Sequence, residues 1–253
     1  MAKIISITNQ KGGVGKTTTA INLSSYLAKK KKKILIVDLD TQGNASTGFG
    51  LKRSALNFCS YHVLIGQISP EKAILPTKIE NLWILPSTLA LAGAEVELVT
   101  IEQREYQLKN ALSLIHHQYD YIFLDCPPSL GIITINALSA SNSVIIPLQC
   151  EYYALEGLTS LLNTLTLVQR RYNNDLKIEG ILLTMYDSHT SLSQQVCSEV
   201  INYFNKQVFN TIIPRNVRLS EAPSYGKPIL SYDPSCKGAE AYRLLAEEIL
   251  SNE

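Results

Sequence analysis

Short apolar runs alternate along the chain with longer stretches in which apolar residues recur every three or four positions. The runs at 3–8 (KIISIT), 33–40 (KILIVDLD), 82–87 (LWILPS), 120–128 (DYIFLDCPP), 143–149 (SVIIPLQ), 177–187 (KIEGILLTMYD) and 207–214 (QVFNTIIP) read as strands. Helical spacing covers 17–30, 102–118, 154–172, 191–205 and 238–250. A strand that is apolar at nearly every position is buried on both faces, the condition of parallel strands between two helix layers. The pattern predicts an α/β fold: one domain over 1–253, with a mostly parallel, twisted sheet and helices on both faces. Residues 41–81 interrupt it with Gly, Ser, Pro and polar residues. They are expected to lie over a ligand site as a mobile segment.

Composition narrows the class. The chain has 253 residues, 45% hydrophobic and 18% charged, with a formal net charge of +1, so any nucleic-acid surface must be a local basic patch. Five scattered cysteines without a C-x-x-C pair indicate neither a disulfide framework nor a zinc site. No apolar stretch approaches the roughly 18 residues of a membrane span. The N-terminus lacks a charged segment followed by a cleavage site, so a cytoplasmic location is expected. The KKKKK run at 29–33 follows a helical stretch and reads as a solvated, dipole-complementing helix end.

The chemistry begins at 9–19, NQKGGVGKTTT, between the first strand and the first helix. Gly15, Lys16 and Thr17 complete a phosphate loop, although Gln10 stands where the usual first glycine would be and a second lysine, Lys11, follows it. Gly12, Gly13, Val14 and Gly15 let backbone N–H groups approach phosphate oxygens, and the helix start at Thr17 and Thr18 adds its positive end. Lys16 is placed for the β- and γ-phosphates, and the Thr17 hydroxyl for Mg²⁺. Asp125 ends one apolar strand and is a candidate Mg²⁺ carboxylate. Asp38 and Asp40 end another, at the edge where α/β sheets bind ligands.

The segments KGGVGKTTT, VDLDTQGNAS, YIFLDCPPSLG, LLTMYDS and IPRNVRLSEAPSYGKPI together resemble the ParA/Soj family of chromosome-partitioning ATPases, through nearly the whole chain and in that family's order. The resemblance implies a deviant Walker A P-loop domain using ATP and Mg²⁺. Lys11 becomes the signature lysine, which in this family reaches the phosphates held by a partner subunit in an ATP-dependent homodimer. Asp40 resembles the group that orients the attacking water, with Asp38 nearer the outer shell of the metal. Asp125 matches the Walker B carboxylate. Pro127, Pro128 and Gly131 match the segment that senses the γ-phosphate, and Pro214 and Asn216 the loop that touches the adenine. Family members bind double-stranded DNA without sequence preference, through an arginine that Arg218 matches. A ParB-type centromere-binding protein stimulates their hydrolysis, and the dimer associates with the nucleoid. His189 stands where relatives often carry arginine, which implies weaker or more pH-sensitive DNA binding, or compensation by other basic residues. No helix-turn-helix domain precedes the first strand, so operator binding is not expected. The alternatives are a nucleotide-gated regulator of replication initiation, with a replication initiator as partner, and a MinD-like cell-division ATPase. The latter needs a basic amphipathic membrane helix, whereas the acidic tail RLLAEEILSNE predicts no membrane partner.

Overall fold

The computed structural model describes residues 1–151 and 154–252. Among them, seven strands form one sheet: β1 (Lys3–Ile7), β2 (Ile34–Asp38), β3 (Leu75–Pro76), β4 (Leu82–Leu85), β5 (Tyr121–Asp125), β6 (Ser143–Gln149) and β7 (Lys177–Thr184). Their order is β3-β4-β2-β5-β1-β6-β7, and every pairing is parallel except that of β3 with β4. The first six helices are α1 (Lys16–Lys29), α2 (Asn44–Gly48), α3 (Ser60–Leu64), α4 (Leu91–Glu97), α5 (Gln107–Ser113) and α6 (Ile132–Ala140). They are followed by α7 (Ala154–Arg171), α8 (Ser191–Phe204), α9 (Val217–Glu221), α10 (Ile229–Tyr232) and α11 (Lys237–Ser251).

The apolar runs are explained by burial on both faces. In β2, Ile34 and Ile36 join a core with α1 and α11, while Leu35 and Val37 join another with α3, α4, α5 and α6. In β5, Tyr121 and Phe123 face the first core, and Ile122 and Leu124 the second. A third core packs β6 and β7 against α7 and α8. The period of two then places Asp38 and Asp125 on the α1 face. Leu23 and Leu27 of α1 are fully buried, so the helix carrying Lys16 at its first turn is fixed; truncating either leucine would cost about 2–5 kcal/mol.

Three expectations need correction. The helix expected over 102–118 is broken into a 3₁₀ turn at Arg104–Tyr106, α5, and a second 3₁₀ turn at His116–Gln118. Its apolar spacing was a valid guide, since Leu108, Leu112 and Ile115 are buried. Continuity fails because Asn136 of α6 intervenes: its Oδ1 accepts from Leu108 N at 3.1 Å and its Nδ2 donates to Arg104 O at 2.7 Å. The strand expected over 207–214 reduces to isolated bridges, Ile181 with Val208 and Tyr186 with Pro214. Between them Asn210 N and Thr211 N donate to the Glu248 carboxylate at 2.6 and 2.9 Å, which takes those groups away from the ladder. Residues 41–81 do not lie over the ligand site as one segment. Val63 and Leu64 are buried in the core beneath β2 and β4, and only the stretch around 42–47 borders the cleft described below.

Candidate functional site

The cleft opens at the carboxyl ends of the central strands. Lying between β1 and α1, the loop is anchored at both ends. Asn9 Nδ2 donates to Pro147 O at 2.8 Å, and its Oδ1 accepts from Lys11 N at 3.0 Å. The Thr184 hydroxyl, at the end of β7, donates to Val14 O at 2.9 Å. Gly13 (φ 74°) and Gly15 (φ 92°) are left-handed, the reason for glycine at both positions. Gly15 is the N-cap of α1 and supplies no side-chain cap, which leaves the first-turn N–H groups of a 14-residue helix facing the cleft for an anion.

Two connected cavities form the cleft. The larger, about 640 Å³, is lined by Gly12, Gly13, Lys16, Thr17, Asp40 and Pro128 among others. The smaller, about 290 Å³, includes Ile213, Pro214, Asn216 and Tyr242. Gly15, Thr18, Met185, Leu219 and Ser220 border both, so the two are continuous. One end thus presents the loop and charged groups, and the other an apolar slot with a few polar atoms, the division that suits a triphosphate and a flat base. Val14 is buried and contributes backbone only.

Charge is concentrated at the larger end. Lys16 is buried and its Nζ donates to Lys11 O at 3.0 Å. Burial lowers its pKa, opposed by the nearby carboxylates of Asp125 and Asp40. Asp38 and Asp125 are register partners on β2 and β5, both fully buried. Asp38 Oδ2 accepts from Ser46 N and Oγ at 2.8 and 2.7 Å, yet burial still pushes its pKa up to about 6. Asp125 is raised well above the usual carboxylate range, first by burial and then by the charge of Asp38. Neither of its oxygens has a hydrogen-bond partner, the neighbouring Thr17 hydroxyl falling short of full bonding geometry. An orphaned carboxylate beside a hydroxyl and a helix start is a site that a divalent cation would complete. Among the described residues no group of three or more His, Cys, Asp or Glu side chains could hold a metal ion. Cys126, next to Asp125, is buried with its thiol pushed up to about 12, a packing residue.

The other expected residues are distributed as follows. Lys11 is exposed; its Nζ turns to Glu151 Oε2 at 2.6 Å, and it does not line the cleft. Pro127 lines an adjoining pocket that shares Asp40, Gln42 and Pro128 with the cleft, and Gly131 starts α6. Asn216 caps α9, its Oδ1 accepting from Arg218 N at 2.9 Å. Arg218 is exposed but not free, with Glu221 at 2.8 Å and Asp233 at 3.5 Å. His189 is on the surface. In the lysine run, Lys30 pairs with Glu247 at 2.8 Å and Lys32 lies 5.9 Å from the Tyr121 ring centroid, while Lys29, Lys31 and Lys33 are exposed. The sequence reading missed Asn9, Ser46, Thr184, Glu151 and Arg53. Only Thr184, at a strand's carboxyl end, carried any signal.

The chain is similar to known proteins along its whole length. Residues 2–178 match the AAA domain family. The Bacillus subtilis (strain 168) sporulation initiation inhibitor protein Soj is 57% identical over 252 residues, covering 100% of both chains. The Treponema pallidum (strain Nichols) chromosome-partitioning ATPase Soj is 53% identical, covering 100% of this chain and 99% of that one. Among solved structures, cobyrinic acid a,c-diamide synthase from Mycobacterium smegmatis, with bound ATP analogue and magnesium, superposes with a TM-score of 0.88 at 37% identity, covering 100% of this chain and 96% of that one. The deviant loop, the paired strand-end aspartates and the full-length identity lead to one assignment: the chain belongs to the ParA/Soj family of chromosome-partitioning ATPases, which use ATP and Mg²⁺.

Proposed function

We propose that the protein is an ATP-driven DNA-segregation switch, in which two copies join face to face, one nucleotide in each cleft, and the joined form binds DNA. The observation that supports this reading is the divergence of the two loop lysines. Lys16 is buried and aimed along its own cleft, whereas Lys11 is exposed at the loop tip and directed away from it. A lysine that does not serve its own cleft is available to another subunit's phosphates, which would make nucleotide part of the interface.

Within one cleft, the loop N–H groups and Lys16 hold phosphate oxygens, and Thr17 with Asp125 hold Mg²⁺. Bound Mg²⁺ neutralises charge on the phosphate oxygens. Asp40 orients the attacking water at the cleft wall. Pro214 and Asn216 bound the adenine slot. Lys11 from the second copy adds a cation where charge develops, in a site closed to water. Arg218 exchanges its carboxylate partners for DNA phosphates, binding all sequences alike, and His189 supplies less charge than an arginine would. A ParB-type partner accelerates hydrolysis and releases the dimer, and the protein works in the cytoplasm on the nucleoid. A MinD-like membrane role fits less well, because the apolar face of α11 (Tyr242, Leu245, Ile249) is packed in the core.

Size-exclusion chromatography with light scattering tests the reading, with ADP, with ATP, and with ATP plus a DNA duplex. The expected masses are monomer, dimer, and dimer on DNA. A monomer in all three conditions would overturn it.

A further inference from the structure

Asp40 lies beyond the end of β2, in a turn rather than on a regular element. Asp40 N donates to Asp38 Oδ1 at 3.2 Å, and two donors reach Asp40 from the turn: Gln42 N donates to Asp40 Oδ1 at 2.9 Å, and Gly43 N donates to Asp40 O at 2.9 Å. The donors belong to two successive peptide units, Thr41–Gln42 and Gln42–Gly43. A peptide unit is rigid and planar, so fixing its carbonyl fixes the direction of its N–H. Both carbonyls are held by one side chain. Arg53 Nη2 donates to Thr41 O at 2.9 Å, and Nη1 donates to Gln42 O.

Arg53 reaches this turn from the 3₁₀ turn Arg53–Ala55. Its Nε is buried without a partner, set against Gly43. Gly43 has φ 60°, and a Cβ there would come within 2.7 Å of that Nε and 3.0 Å of Ser87 O. Glycine at 43 therefore closes the turn and leaves room for the guanidinium. A planar fork of donors suits two neighbouring carbonyls, whereas a lysine ammonium offers a single point of charge.

We infer that Arg53 is a positioning residue for hydrolysis: it clamps the two peptide units whose N–H groups hold the Asp40 carboxylate (from Gln42) and the Asp40 carbonyl (from Gly43) at the cleft wall. The inference rests on the reading of Asp40 as the water-orienting group. Arg53 does not line the cleft, so its effect should fall on turnover and not on affinity.

The test measures basal kcat at saturating ATP, and ATP affinity by calorimetry, for the wild type, Arg53→Ala, Arg53→Lys and Asp40→Ala. Misplacement of a catalytic group by about 1 Å can cost about a hundredfold in rate. Arg53→Ala should lose about ten- to a hundredfold in kcat with ATP affinity within about twofold of wild type. Arg53→Lys, which can hold one carbonyl at a time, should fall between the two, and it carries the comparison if the alanine variant does not fold. Two results would overturn the inference while leaving Asp40 in place: kcat within twofold of wild type in both Arg53 variants when Asp40→Ala is slow, or kcat and affinity falling together in both Arg53 variants. Wild-type turnover in Asp40→Ala would instead remove the reading of Asp40, and the role of Arg53 with it.

Discussion

The two halves of the phosphate loop contrast sharply. Residues 14–18 are anchored: Val14 O is bound by Thr184, and Lys16 is buried beside two carboxylates. Residues 11–13 are exposed, and a Cβ built on Gly12 or Gly13 would meet nothing within 4 Å. The only side chain of this tip, Lys11, is held by an ion pair in which both partners are almost half exposed, 45% and 44%. Pairs of that kind contribute about 0–1 kcal/mol, so exchanging the partner costs little. The buried half is fixed throughout, whereas at the tip the Lys11 backbone is held by Asn9 and Lys16 and its side chain alone is placed to change partners.

The largest expected effect tests the anchored half. Lys16→Ala removes a buried cation from the phosphate end, and truncating one partner of a buried charge pair costs about 2–5 kcal/mol. Calorimetry should show ATP affinity reduced by about a hundredfold or more, since each 1.4 kcal/mol is about tenfold. Undiminished affinity would mean that the buried half of the loop is not the phosphate site.

The next prediction concerns the carboxylates that face that half. Asp38 has a folded-state pKa of about 6 against an ordinary value of 3.8. The folded protein therefore keeps a proton that the unfolded chain releases, and stability falls as pH rises from about 4 through about 6. The total from Asp38 is on the order of 3 kcal/mol, and Asp125 acts in the same direction. Metal-free, nucleotide-free protein should lose stability to urea over this range, and Asp38→Asn should lose less. An equal slope in the variant would show that Asp38 is already ionised at low pH.

The contrast also marks what could be read from the chain alone. The anchored half was legible because Gly15, Lys16 and Thr17 lie at fixed spacing between an apolar strand and a helix. Six of the seven sheet strands were visible as apolar runs for the same local reason, and β3, two residues long, was not. Helix α6 was missed because IITINALSA is apolar or small around its circumference and nearly all buried, which removes the amphipathic signal. The apolar run 207–214 misled because its pairing is interrupted from α11, by Glu248. The partners of the exposed lysine and of the Asp40 turn were out of reach for a related reason. Glu151 lies 140 positions from Lys11, and Arg53 touches carbonyls, which no residue pattern encodes.

A smaller effect extends the contrast to another exposed cation. Arg218 shares Glu221 and Asp233 and is 54% exposed, so it too can change partners. Arg218→Glu should weaken DNA binding of every sequence by about tenfold. It should also reduce the slope of log affinity against log salt by about 1.8 for the dimer, because each of the two copies neutralises one phosphate fewer. Retention of the ATP-dependent dimer in the same variant would separate DNA binding from assembly. An unchanged salt slope would place the DNA surface elsewhere. The smallest effect is on folding: Glu151→Ala should shift unfolding free energy by no more than about 1 kcal/mol, as befits an exposed pair. A loss of several kcal/mol would make the loop tip as fixed as its base and remove the contrast.

The central claim is that Lys11 serves the other subunit, and the most direct measurement is light scattering on Lys11→Ala with saturating ATP, alongside calorimetric ATP affinity. The predicted result is a monomer that still binds ATP through Lys16, Thr17 and the loop amides. A Lys11→Ala protein that dimerises with ATP as well as the wild type would contradict the claim.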